Sequence, residues 1–130
     1  MTGIFLVGLG SLIGGVLRHG LNGWVYRVLD VWSFPYGTLA VNVLGSFAIG
    51  LLAGSAGTWM TLSADTRLFL LTGILGGFTT FSAFAFETFA LARDGQSGAA
   101  VMNITLQLVL GLAAVWLGHL LGHAIARSGA

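Results

Sequence analysis

Long apolar runs separated by short polar punctuation set the pattern of the chain. They extend from about Ile4 to Leu29, Tyr36 to Ala56, Arg67 to Ala92 and Gly98 to Ala126. Each reaches the roughly 20 residues that carry a helix across a hydrocarbon core of about 30 Å. The interruptions are Asp30 to Pro35, Gly57 to Asp65 and Arg93 to Ser97, with Pro35, the sole proline, at the start of the second run, where a missing N–H costs least. Trp24, Tyr26, Trp32, Tyr36 and Trp59 fall near run ends, as amphipathic rings do at a headgroup layer. The first run lacks a basic start, is too long for a signal peptide and contains Arg18, so it reads as a retained span. The pattern predicts an all-α membrane protein: one domain, residues 1–130, of four transmembrane helices.

Composition agrees and removes alternatives. Charged residues are 7% of the chain and hydrophobic residues 56%, with a mean hydropathy of +0.95. A soluble domain carries about 25% charged residues, so the partner for this surface is the lipid bilayer. A formal net charge of +1 offers nothing to a nucleic acid. With no cysteine there is neither a disulfide nor a thiolate metal site. His119 and His123 are spaced i, i+4 but have no third ligand, and no enzymatic function is expected.

The 21 glycines would weaken soluble helices, whereas in lipid small residues let backbones approach. Gly10, Gly14 and Arg18 share one face of the first helix, as Gly50 and Gly54 do in the second. An arginine this deep either snorkels to the interface or faces a wet interior, where a permanent cation gathers anions. The remaining arginines balance. Arg67 and Arg127 fall on one side of a four-span chain, Arg27 and Arg93 on the other, and lysine is absent. The positive-inside rule then gives no preferred orientation, which predicts insertion both ways and an antiparallel homodimer.

The densest pattern is Thr72-Gly-Ile-Leu-Gly76-Gly77-Phe78-Thr79-Thr80-Phe81-Ser82-Ala-Phe84 in the third span. Glycines followed by β-branched threonines make a poor continuous helix, so this helix is expected to break near its middle. Carbonyls freed there must meet protein, water or a cation. Phe81 and Phe84 stand just beyond. Such rings ordinarily pack, but their positive edges can also face an anion. Asn42, alone among apolar neighbours, either donates to that anion or bonds another helix.

Together these segments resemble the Fluc (CrcB) family of fluoride channels over the whole chain: Gly10 through Arg18, Tyr36 through Asn42, and Gly73 through Phe84 followed by Glu87. The resemblance implies passive, fluoride-selective export through two antiparallel pores in the cell inner (plasma) membrane, from a multi-pass, dual-topology homodimer. It also implies a structural sodium ion held by the backbone carbonyls of Gly76 and Thr79. It assigns Phe81, Phe84, Asn42, Ser82 and Thr80 to the fluoride pore, and Arg18 and Glu87 to a vestibule. The chain departs from the family pattern at Ala83 and Ala85, where hydroxyls are usual, and at Asn103, where some relatives carry tyrosine. Asn103 and Gln107, one turn apart, are candidates to replace the lost polar contacts. The alternative reading is a small dual-topology, proton-coupled multidrug exporter using Glu87, the one membrane-embedded carboxylate, although Arg18 would repel its cationic substrates.

Overall fold

A computed structural model describes residues 2–55 and 62–128, and among these all regular structure is helical. Helix α1 runs Thr2–Leu29 and α2 Tyr36–Gly54. The third span opens with a turn at Ala64–Arg67, widens into a π-helix at Leu68–Leu75 and returns to α-geometry at Gly76–Phe78. These pieces, residues 64–78, are α3. Helix α4 is Phe81–Arg93 and α5 Ser97–Ser128. With α3 and α4 counted as one interrupted span, four helices are long and apolar enough to cross a membrane. The expected end of the second run at Ala56, the ring at Trp59 and most of the second connection lie outside the described residues.

Local chemistry sets the boundaries. Asp30, in left-handed geometry (φ 50°), ends α1 while its N–H still donates to Tyr26. The Ser63 hydroxyl accepts from the Thr66 N–H and starts α3 three residues before the expected Arg67. At the far end of α4, Gly95 (φ 78°) and Gln96 donate back to the carbonyls of Ala92 and Leu91. That is a Schellman closure, and it requires the positive φ that glycine supplies. Near the first connection, the rings of Tyr26 and Trp32 stack at 4.8 Å.

Glycine rather than bulky side chains forms the packing seams. A Cβ on Gly10 would lie 2.7 Å from Gly73 Cα, and one on Gly14 would collide with the Ile74 carbonyl. Gly50 and Gly54 pack on Val115 and His119, while Gly118 and Gly122 pack on Phe47 and Leu51, so α2 and α5 interlock by two small-residue strips. The π-helical widening, which the sequence reading missed, lies where α3 crosses α1 at the Gly10–Gly73 contact. The interior admits polar side chains among apolar ones: Thr38 and Asn103 are as fully buried as Val41, while Ile4, Leu112 and Trp116 are exposed to the surroundings. An apolar exterior of this kind is what a lipid solvent selects.

The α2–α5 seam gives a direct test. Gly118→Val should lower the thermal stability of the detergent-solubilised protein by about 1–3 kcal/mol or more through overpacking, because its side chain would meet the Phe47 carbonyl. Gly98→Ala, with open space around its Cβ position, should melt like the parent. Equal melting of both variants would mean that the seam does not hold the helices.

Candidate functional site

The third span does break, at the two threonines that follow its glycines and just before Phe81. Gly76 is still helical (φ −64°, ψ −36°), whereas Thr79 has ψ 157° and Thr80 has φ −149° and ψ 112°. Two β-branched residues take the extended conformation they favour. The Thr79 hydroxyl and N–H both donate to the Leu75 carbonyl, closing α3. The Thr80 hydroxyl accepts from the Ala83 N–H and opens α4.

Asn42 on α2 holds this break. Its Oδ1 accepts from the Thr80 N–H at 2.9 Å, and its Nδ2 donates to the Thr80 carbonyl at 3.1 Å. The same Nδ2 donates to Oε1 of Gln107 on α5, also at 3.1 Å. Of the two roles open to Asn42 from sequence, this structure displays the interhelical one, with acceptors for both amide protons.

Arg18 arrives from the other side. The Gly10 and Gly14 contacts draw α1 against α3, and one turn further on the Arg18 guanidinium donates to the Thr79 carbonyl at 3.5 Å. It is half-buried and faces inward, as the interior reading required. Thr38, one turn before Asn42 on the same face of α2, donates to Glu87 at 2.6 Å. The sequence reading did not pair Thr38 with Glu87, although their common signal, a hydroxyl and a carboxylate inside apolar spans, was present.

Two cavities meet at the break. One, about 300 Å³, is lined by Arg18, His19, Asn22, Thr38, Thr80 and Glu87. The other, about 440 Å³, has Asn42, Gly76, Thr79, Thr80, Phe81, Phe84 and Gln107 in its wall and no charged residue. Thr80 lines both. The rings of Phe81 and Phe84 stand edge to face at 5.4 Å and 67°, and Phe81 is 78% exposed. Residues that sequence placed in a vestibule and in a pore thus border adjoining spaces. Ser82 lines neither and lies 3.3 Å from the Thr80 hydroxyl.

The two candidates for replacing the family hydroxyls part company. Gln107 lines the larger cavity, whereas fully buried Asn103 turns to α4 and donates to the Thr88 hydroxyl at 2.9 Å. Asn103 therefore offers nothing to that cavity. The carbonyls of Gly76 and Thr79 fit a hard cation in donor type. The N–H that would continue the helix from Gly76, that of Thr80, is turned to Asn42, and the Thr79 carbonyl ends α3 with Arg18 as its donor at 3.5 Å, leaving one lone pair. One chain supplies two such oxygens, so a full shell needs a second copy.

Replacing Asn42 tests the break. Asn42→Ala should destabilise the protein by about 2–6 kcal/mol, because it leaves the N–H and C=O of Thr80 without partners, at about 1–3 kcal/mol for each group. Amide exchange at Thr80 should accelerate with it. An unchanged Thr80 exchange rate would show that something else holds the break.

Comparison with known proteins covers the same stretch of chain. The family described as CrcB-like protein, Camphor Resistance (CrcB), matches residues 5–119. A protein of Parabacteroides distasonis named fluoride-specific ion channel FluC is 46% identical over 125 residues, covering 96% of both chains. Proteins of the same name from Thermus thermophilus and Agrobacterium fabrum are 46% and 44% identical, over 92% and 94% of this chain and 93% and 97% of their own. The break, the phenylalanine pair and the half-buried arginine all lie within the matched residues, and the chain belongs to the CrcB-like family.

Proposed function

We propose that this chain is a fluoride channel of the cell inner membrane, passing the ion passively outward and so lowering cytoplasmic fluoride. The observation that carries the reading is the edge-to-face Phe81–Phe84 pair beside a helix break, on the wall of a cavity without charge. An anion collected near Arg18 passes Thr80 into a space where ring edges offer weak positive potential and no charge to trap it. The names of the relatives supply the ion, and the family favours a channel over the exporter alternative.

The larger cavity is open along one side, which suits closure by a second copy. The balanced arginines favour an antiparallel partner. In that arrangement the Gly76 and Thr79 carbonyls of two chains would hold a sodium ion. Its contribution is structural, and ion passage is left to the chain's own residues. Asn42 serves the pathway by fixing the wall at Thr80, and Glu87, held by Thr38, sets the charge of the vestibule opposite Arg18.

Purified protein in liposomes should discharge a fluoride gradient when an ionophore balances charge, and should retain chloride. Phe81→Ile and Phe84→Ile keep bulk but remove the positive ring edge, and at least one should lower flux tenfold or more with the dimer intact. Comparable chloride flux would end the selectivity claim, and full flux in both variants would return the rings to packing.

Orientation can be read separately. Labelling of a single cysteine introduced at the C-terminus should find that end on both faces of the membrane in similar amounts, and lysines added after Arg127 should drive it to the cytoplasm with loss of activity. A second copy with lysines beside Arg93 should restore it. Wild-type chains nearly all in one orientation would rule out the antiparallel dimer.

A further inference from the structure

One group of metal-ligating side chains stands apart from the break. His119 and His123 lie on successive turns near the end of α5, and both are exposed. Their rings are parallel to within 6°, with centroids 6.5 Å apart. They line neither cavity at the break.

Their depth follows from helix packing. With 19 residues, α2 rises about 28 Å, close to the hydrocarbon thickness of about 30 Å. It starts at the first connection, so its last residue, Gly54, lies near the opposite edge of the hydrocarbon. Gly54 packs against the His119 carbonyl, whereas α5 continues to Ser128. His119 is therefore level with the membrane edge, and His123 stands about 6 Å further out, in reach of water. Trp116, one turn before His119 and 63% exposed, suits the same boundary.

Two histidines at i and i+4 on one helix face are the spacing with which a helix chelates zinc. Imidazole nitrogen suits zinc, copper and nickel, whereas magnesium and calcium prefer oxygen. Two nitrogens each about 2 Å from one ion place the ring centroids about 5 Å apart. Closing from 6.5 Å to that distance takes only side-chain rotation, because the backbone already sets both rings on one face. Arg127, one turn beyond His123, is exposed, and water screens its charge.

We propose that His119 and His123 form a transition-metal site at the membrane surface, taking zinc or copper through one imidazole nitrogen each. Among the described residues no third ligand joins them, so water completes the shell and the ion exchanges readily. The site is separate from the ion pathway and does not depend on the channel reading.

Zinc titrated calorimetrically into tag-free protein at about pH 7.5, where a histidine is largely neutral, should bind saturably at one ion per chain. Magnesium should not bind there. His119→Ala and His123→Ala should each weaken zinc binding about tenfold or more, because losing either arm destroys the chelate. Two independent histidines would instead lose half the sites and keep their affinity. Both side chains are exposed, so neither variant opens a hole in the packing.

A measurement on unaltered protein checks the same point. The chain has three histidines, His19, His119 and His123. In a ¹⁵N-histidine sample, zinc should move the ring signals of His119 and His123 together and spare His19, and a chelator should return them. No saturable zinc binding, equal binding of magnesium, affinity retained in either variant, or a shift confined to one of the two rings would each overturn the site. The pair would then be polar side chains of the interface and nothing more.

Discussion

A helix that stops inside hydrocarbon must hand its freed N–H and C=O groups to something other than water. In this chain the pair of hydrogen bonds between Asn42 and Thr80 meets that demand. One side-chain amide takes the place of a neighbouring backbone and lets an extended pair of residues, Thr79 and Thr80, exist at membrane depth. The cavities on either side of Thr80 depend on that extended pair, because a continuous helix would carry Phe81 and Phe84 around the axis and away from the Gly76 and Thr79 carbonyls.

Close backbone packing delivers the other groups to this point. Lipid gives no hydrophobic reward for burying leucine, so the helices associate through glycine contacts that let main chains touch. The seam between α1 and α3 fixes how far Arg18 stands from the break, and the seam between α2 and α5 fixes how far Gln107 stands from Asn42. Glycine spacing is thus the ruler that sets polar distances. A large side chain in either seam would separate the helices and pull the hydrogen bonds at Thr80 apart.

Polar groups inside such a bundle are expensive, and their distribution follows function. Among the described residues, buried side-chain atoms without a protein partner lie at Asn22, Glu87, Asn103 and Gln107. Arg18 is kept out of the wall of the uncharged cavity and set in the smaller space, with Thr80 between the two. A permanent charge in one space and neutral walls in the next are what the proposed passage of an anion would use.

The sequence by itself determined the spans, because a polar group in hydrocarbon is so costly that hydropathy and length leave few choices. It also marked Arg18, Asn42, Glu87 and the phenylalanine pair, since each is conspicuous against an apolar background. It located the break between the paired glycines and Phe81, and the structure narrowed it to Thr79 and Thr80, where Asn42 holds the backbone. Only the tertiary structure decided which polar groups meet. Nothing in the local pattern says that Thr38 reaches Glu87, that Asn103 turns to Thr88 while Gln107 turns to Asn42, or that α3 widens where it crosses α1. Those outcomes depend on helix rotation and on contacts between residues far apart in the chain, and a hydrogen bond is decided by tenths of an ångström that no spacing rule supplies.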